Sequence, residues 1–312
     1  MTQKNKITDL DYTIRLAAFK WLEEQVNNYG DVLPRSILVQ GFRFEDQRVP
    51  LIAPQGIFKP KILPQIPLTI TTTPKGPYDD SFDPDGLLRY RYRGTDPKHR
   101  DNASLRMAMF RKVPLIYFHG IIPGKYLAVW PVYIVGDDPK KLTFKVAVDD
   151  ISLIGSNWKE MGSGTSISDT GTEARRTYLT TAVRQRLHQR GFREKVLQAY
   201  HEQCAFCRLR HIELLDAAHI IPDGEPGGEP VVNNGLSLCK LHHAAFDKFL
   251  LGVRPDYIIE VRKDILKEHD GPMLLHGLQD LHQKMIVLPH SVNHRPNSER
   301  LEKRYERFRA AS

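Results

Sequence analysis

The chain has 312 residues, 41% of them hydrophobic and 26% charged, which excludes wholesale disorder, a collagen-like repeat and a coiled-coil rod. Lys and Arg number 45 against 37 Asp and Glu, and the formal net charge of +8 favours a polyanionic partner without establishing one. The sequence holds no apolar run of about 18 residues and no secretion signal at its polar N-terminus, so we expect a cytoplasmic protein without a membrane span.

Residues 1–60 are predicted to form a small, mostly helical segment. Apolar residues between positions 14 and 26 recur at i, i+3 and i+4, which predicts a helix that ends before Gly30. A short element at 34–40 follows, and residues 41–60 are typical of a β-hairpin. This order fits a winged-helix-like segment. A helical cap on the next domain is the alternative.

Residues 61–155 are predicted to form a β-rich domain, a curved sheet or open barrel with a helix at 103–110. The evidence is a set of segments rich in β-branched and aromatic residues, separated by Pro, Gly and Asp turns. These predicted strands are 67–73, 87–92, 115–119, 126–135 and 142–148.

Residues 156–195 are predicted to contain a linker and the first part of a basic helix that spans 172–200. Gly, Ser, Thr and Asp dominate the start of this region, as in flexible linkers. Arg184 and Arg186 are candidate DNA-phosphate contacts on the helix. The alternative is a solvated helix face without a partner.

All three cysteines fall into a metal-binding pattern in the last part of the chain. Cys204 and Cys207 form one short pair, and Cys239 and His242 form a second, which is the spacing of a tetrahedral structural zinc site. An odd number of cysteines argues against a disulfide framework. His243, beside His242, is an alternative fourth ligand.

A second pattern overlaps the first. The chain reads A-H-I at 218–220, N-G-L at 234–236 and H-A-A-F-D at 243–247. The order and spacing resemble the HNH endonuclease family, in the bacterial branch with the pattern A-H-I…N-G-L…H-x-x-F-D. The resemblance covers about residues 196–308 and implies a ββα-metal fold for a C-terminal domain at 196–312, hence an α+β protein overall.

The resemblance also implies roles for individual residues. His219 would be the general base that takes a proton from the attacking water, and Asn234 would tie the hairpin loop and orient the imidazole. His243 and Asp247, four apart on one helix face, would bind a catalytic Mg²⁺ or Mn²⁺. Many HNH proteins carry a second ligand immediately before the base. That position is Ala218 here, and Asp216 is the nearest substitute, either as a ligand or in a salt bridge.

The β-rich domain offers candidate DNA contacts, because aromatic faces stack on bases and arginines bind phosphates. The alternative is that the aromatic residues belong to the core. The domain order resembles predicted bacterial restriction proteins with a PUA-like or SRA-like reader of modified DNA. The candidate residues are Tyr78, Asp79, Tyr90, Arg91, Tyr92, Arg93, His99 and Arg100.

The sequence therefore predicts a restriction endonuclease that hydrolyses double-stranded DNA, with structural zinc and a catalytic Mg²⁺ or Mn²⁺. Modified DNA is one predicted target. Since one HNH site cuts one strand, a double-strand break needs two protomers or two cutting events, and a homodimer is one of these two expectations. Two alternatives remain: a non-cleaving regulator that binds modified DNA with a vestigial HNH core, and a nuclease specific for unmodified sites.

Overall fold

A computed structural model of the chain describes residues 3–74, 87–149 and 169–311. The chain divides into two compact units, one up to Leu187 and one from His188. Within the described ranges, no helix combines the length and the hydropathy needed to cross a bilayer. The predicted linker, apart from its last residues, and the candidate contacts Tyr78 and Asp79 lie outside the described residues.

The first unit is built on a mixed sheet whose described strands follow the order β4-β5-β7-β8-β9-β6, with β1 paired to β8. β5 and β7 are parallel and the other neighbours are antiparallel. A separate hairpin joins β2 and β3. The elements of this unit are α1 (Gln3–Tyr29), β1 (Val32–Pro34), α2 (Arg35–Gln40), β2 (Phe42–Phe44), β3 (Gln47–Val49), β4 (Ile57–Phe58), β5 (Thr69–Thr72), β6 (Leu88–Arg91), α3 (Arg100–Phe110), β7 (Leu115–Ile122), β8 (Lys125–Asp138), β9 (Thr143–Val148) and the first part of α4 (Asp169–Ala199).

Five of these strands, β5 to β9, and helix α3 coincide with predicted elements to within a few residues. Their sequences suit the sheet because every second residue of β6 is buried, as expected for a strand with one covered face. In β7 and the first part of β8 burial is almost continuous, because both faces of the sheet are covered there. A curved, mixed sheet with helices is therefore observed. The more specific PUA-like or SRA-like assignment stays a prediction.

The N-terminal segment shares the sheet and the core of the rest of the unit. Strand β1 pairs with β8 through Val32 and Leu127, and α1 and α2 pack in one hydrophobic cluster with residues of β7 and β8. The buried Arg15 donates to the carbonyl oxygens of Pro67 and Pro114, each at 2.9 Å. The N-terminal segment therefore shares the core of this unit, and its winged-helix-like assignment stays a prediction.

The second unit contains a ββα arrangement followed by a further hairpin and helices. Helix α4 contributes Phe192 and Val196 to this unit's core, whereas Val183 and Leu187 of the same helix lie in the core of the first unit. The boundary thus falls within α4, eight residues before the predicted domain start at residue 196. The remaining elements are β10 (Leu215–His219), β11 (Gly235–Cys239), α5 (Lys240–Asp247), β12 (Leu251–Val253), β13 (Ile259–Val261), α6 (Pro272–Gly277) and α7 (Ser298–Ala310).

Candidate active site and metal site

The site is built on the β10–β11 hairpin and the helix that follows it directly. His219 ends β10 and pairs with Gly235, the first residue of β11. A Cβ atom at Gly235 would lie 2.5 Å from Val196 and 2.8 Å from Phe192, so only glycine allows α4 to pack this closely on the hairpin. Cys239 ends β11 and caps α5, which places the α5 histidines beside the hairpin.

One metal-binding group is present in the described part of the chain. The ligand atoms of Cys204, Cys207, Cys239 and His242 all lie within 4.8 Å of one another. The Nε2 atom of His242 donates to the carbonyl oxygen of Gly277 at 2.7 Å, so Nδ1 is free to face the sulfur atoms. It lies 3.4 Å from Sγ of Cys204 and 3.2 Å from Sγ of Cys239. The cluster can hold a metal such as zinc.

The members of this cluster also shift one another's pKa, and Cys204 and Cys239 raise that of Cys207. The neighbouring Cys204 and Cys207 lower the pKa of Cys239, against its burial. Burial opposes the charged form of His242, but the sulfur atoms of Cys204 and Cys239 raise the pKa of His242 to about 10. Three sulfurs and one imidazole are the ligand set of a structural zinc site. His242, and not His243, completes the group.

His219 lies beside the hairpin with its ring against Phe192. The two ring centroids are 4.0 Å apart and the planes differ by 19°. The Nε2 atom of His219 is buried and has no hydrogen-bond partner among the described residues. Burial lowers the pKa of His219, an effect that Asp223 and Asp247 oppose and His243 reinforces. A neutral imidazole is the form that can accept a proton.

Asn234 closes the long loop between β10 and β11. Its Oδ1 accepts from the N–H of Ile221 at 2.9 Å, and its Nδ2 donates to the carbonyl oxygens of Ile221 and Glu229. Its backbone carbonyl also accepts from the N–H of Ile220. These bonds fix the backbone that leaves His219, and the role of Asn234 in orienting the imidazole stays a prediction.

His243 lies between two carboxylates. Its Nδ1 is 3.8 Å from Oδ2 of Asp216, and its Nε2 is 3.3 Å from Oδ2 of Asp247. The hydrogen bond with His243 lowers the pKa of Asp247, against burial and with help from Arg304. Burial raises the pKa of Asp216, but the net effect is a lowered pKa. The groups that lower it are the N–H of Ala217, Lys240 and His243. Both carboxylates are therefore held ionised, one on each edge of the imidazole.

Arg304 is a residue at this site that the sequence analysis missed. It lies on α7, and its guanidinium donates to the carbonyl oxygens of Ile220 and Phe246 and to Oδ1 of Asp247. It also lies over the rings of Phe246 and Phe249. In the sequence it is one of several arginines in a charged helix, and only its position between Leu301 and Phe308, both buried, hinted at an inward face.

The structure corrects part of the predicted DNA interface in the first unit. The rings of Tyr90 and Tyr92 are buried in the core, so they are not available to stack on bases. Arg93 forms a salt bridge with Asp101. His99 caps helix α3, because its Nδ1 accepts a hydrogen bond from the backbone N–H of Asp101. Four of the predicted arginines keep exposed side chains, namely Arg91, Arg93, Arg100 and Arg186, while Arg184 is half-buried.

One comparison with known proteins matches part of the second unit. The family model described as HNH endonuclease matches residues 204–254, which span the metal cluster, the hairpin and α5. No curated protein matches the chain. One similar solved structure is the modification-dependent TagI restriction endonuclease, with 16% identity, a TM-score of 0.28, and coverage of 91% of this chain and 89% of that one. Another is the type IV phosphorothioation-dependent restriction endonuclease ScoMcrA, with 17% identity, a TM-score of 0.20, and coverage of 62% of this chain and 50% of that one.

Proposed function

We propose that this protein is a metal-dependent DNA endonuclease of the restriction type. The observation that carries the proposal is the placement of His219, His243 and Asp247 on one hairpin and its following helix, inside the segment that the HNH endonuclease model matches. The formal net charge of +8 supports a nucleic-acid substrate.

His219 is the general base in this proposal. Its imidazole is kept neutral by burial against Phe192, so it accepts a proton from the attacking water near neutral pH. Asn234 holds the backbone beyond His219 through the loop hydrogen bonds. The imidazole therefore keeps one orientation when DNA binds.

His243 and Asp247 would hold the catalytic cation, for which a nitrogen and a carboxylate oxygen 3.3 Å apart are suitable donors. A Mg²⁺ or Mn²⁺ ion bound there would stabilise the negative charge on the phosphate and the departing 3′ oxygen. Asp216 faces the opposite ring nitrogen at 3.8 Å, beyond hydrogen-bond distance, and would act on His243 through its charge. The expected products carry 5′-phosphate and 3′-hydroxyl ends.

The cysteine cluster would hold structural zinc. It joins the segment before the hairpin, the end of β11 and the start of α5, and its His242 is oriented by Gly277. Zinc bound by these elements would fix α5 against the hairpin, and so fix His243 and Asp247 relative to His219.

Restriction of modified DNA is the biological role we propose. A nuclease core of this kind has little sequence preference of its own, and the β-rich first unit is the part of the chain available to select the substrate. The exposed arginines 91, 93, 100 and 186 and the half-buried Arg184 are the contacts we assign to double-stranded DNA. Cleavage of both strands would then use two copies of the chain.

A non-cleaving regulator of modified DNA is the second candidate. The observation that favours it is Ala218, which is buried and provides no ligand at the position before the base. On this view the cation site would be incomplete and the protein would bind DNA without cutting it.

Plasmid nicking by the full chain with Mg²⁺ or Mn²⁺ separates the two candidates. The wild type is compared with His219→Ala and with His211→Ala, a matched control because His211 is an exposed histidine of the same unit. We expect His219→Ala to lower the rate by about 10²- to 10⁴-fold and the control to cut normally.

The substrates are unmodified plasmid and phage DNAs with different base or backbone modifications. Cutting of modified DNA alone supports the restriction role. Efficient cutting of unmodified plasmid would instead favour a nuclease for ordinary sites, and no cutting of any substrate would favour the regulator.

A further inference from the structure

Three arginines of α7 contact the loop between β10 and β11. Arg300 donates to Asn233 at 2.7 Å and to Glu229 at 2.6 Å, and Arg307 donates to Glu225 at 2.6 Å. Arg304 lies between them in sequence, and the spacings of four and three residues place all three on one helix face. Helix α7 begins 44 residues after the end of the matched segment.

Arg304 differs from its two neighbours in burial and in what it contacts. Only 6% of its side chain is exposed, against 21% for Arg300 and 45% for Arg307. Its Nη1 donates to the carbonyl oxygen of Ile220 at 3.4 Å, and its Nη2 donates to the carbonyl oxygen of Phe246 at 2.9 Å and to Oδ1 of Asp247 at 3.4 Å.

These three acceptors belong to the two halves of the proposed active site. Ile220 follows the general base His219, whereas Phe246 and Asp247 form the last turn of α5, where the proposed metal ligand lies. The guanidinium is planar and its N–H groups point in fixed directions. A single rigid group therefore contacts the backbone next to the base and the carboxylate of the ligand.

Stability alone does not account for a buried arginine at this place. Burial lowers the pKa of Arg304, so its charge is held there at a cost, and its Nε has no partner among the described residues. An apolar side chain of similar volume often stabilises such a position as well or better. The rings of Phe246 and Phe249, 4.3 and 4.8 Å from the guanidinium carbon, compensate part of that cost.

We propose that Arg304 is a positioning residue for the proposed nuclease site, because it fixes the metal ligand Asp247 relative to the backbone of the general base. The inference rests on the proposed function and deepens it. Helix α7 then contributes to the geometry of the nuclease site, although it lies outside the segment that the HNH endonuclease model matches.

The test compares Arg304→Met, Arg304→Lys and the control Arg307→Met in the full chain. The control removes an arginine from the same helix face that contacts the same loop but neither half of the site. Mn²⁺ affinity is measured without DNA by the electron paramagnetic resonance signal of free Mn²⁺, on protein that retains its zinc. Single-turnover nicking rate, zinc content and melting temperature are measured on the same samples.

We expect Arg304→Met to lower Mn²⁺ affinity and nicking rate by about 10- to 100-fold, the range seen when partners of metal ligands are removed. Arg307→Met should stay within about twofold of the wild type, as for most exposed ion pairs. Arg304→Lys should also be impaired, because one ammonium group cannot replace the forked guanidinium.

Wild-type Mn²⁺ affinity and nicking in folded Arg304→Met would overturn the inference. If that variant does not fold, Arg304→Lys decides: normal affinity and rate overturn the inference, and loss of both supports it. If the wild type binds Mn²⁺ but cuts no DNA, reduced binding in Arg304→Met still supports the positioning role while the nuclease proposal fails. If the wild type neither binds Mn²⁺ nor cuts, both are overturned.

Discussion

The imidazole of His219 stacks on the phenyl ring of Phe192, with 4.0 Å between the ring centroids. Phe192 comes from α4, a helix that precedes the ββα arrangement in the chain. This contact covers one face of the proposed base and is part of the burial that lowers the pKa of His219. Phe192 precedes the segment that the HNH endonuclease model matches, and it therefore affects the protonation of His219, which lies inside that segment.

The pH dependence of cleavage tests this contact. His219 can accept a proton only when neutral, so activity should fall as pH drops through its pKa, which burial places below the ordinary value of about 6.5. We expect the acidic limb of kcat/KM below pH about 6.5, and we expect Phe192→Leu to move it upward because less of the imidazole is buried. The pH–rate profile of nicking measures both. An acidic limb well above 6.5 in the wild type would contradict the assignment of His219.

Cys204→Ser should remove the metal from the cluster and unfold the second unit. Binding of structural zinc contributes directly to folding free energy, and Cys204 is a fully buried member of the group. Metal analysis and calorimetry should show loss of zinc and loss of one melting transition, while the first unit keeps its own core and its own transition. His243→Ala is the matched control, because it removes the neighbouring histidine and should retain zinc. Zinc-free Cys204→Ser with both transitions intact would show that the cluster is not a structural metal site.

Asn234→Ala should destabilise the second unit and slow cleavage. It removes the partners of the Ile221 N–H and carbonyl, and leaving buried polar groups unpaired costs about 1–3 kcal/mol. Urea unfolding measures the free-energy change, and amide exchange of residues 220–234 should become faster. Asn234→Asp is the control, since it keeps the acceptor for Ile221 but loses the donor. Unchanged exchange in Asn234→Ala would mean that other contacts hold the loop.

Asp216→Asn should weaken binding of the catalytic cation without loss of zinc. The carboxylate lies at the ring nitrogen of His243 opposite Asp247, and removing such a partner lowers metal affinity by about 10- to 100-fold. Mn²⁺ titration of the zinc-loaded protein measures the change. Asp256→Asn, which affects only an exposed pair with Arg254, should bind Mn²⁺ normally. Equal affinities for the two variants would remove Asp216 from the site.

The double variant Arg184→Ala, Arg186→Ala tests α4 as a DNA contact. Phosphate contacts make binding salt-dependent, with a slope of about 0.9 per neutralised phosphate. We expect weaker binding at every sequence and a shallower slope when DNA affinity is measured at several salt concentrations. If affinity falls but the slope does not change, the effect is structural and α4 lies outside the interface.

Local sequence patterns predicted much of the fold. Strands β5 to β9 and the helices α1, α3 and α4 could be located because each has its own apolar periodicity or β-rich composition. The burial of Tyr90 and Tyr92 could also have been inferred, since residues two apart share a strand face, with arginines 91 and 93 on the other.

Long-range contacts could not be predicted in this way. Whether the N-terminal segment is a winged helix or a cap depends on β1 pairing with a strand almost a hundred residues later, through Val32 and Leu127. The spacing of Arg304 from Leu301 and Phe308 indicates an inward face, but its contacts with Ile220 and Asp247 depend on where α7 packs, which no local pattern specifies. The metal cluster could be predicted from the sequence because the two ligands of each pair are only three residues apart in the chain.

The adjacent histidines of α5 constrain how this helix can evolve. His242 faces the sulfur cluster and His243 faces the two carboxylates, and neighbouring helical residues differ by about 100° in direction. An insertion or deletion of a single residue within α5, before these histidines, would rotate both imidazoles out of their sites. Length variation among descendants of this gene should therefore be absent from α5 and concentrated in the tip of the preceding loop, near Gly224 and Gly227, where added atoms meet open space.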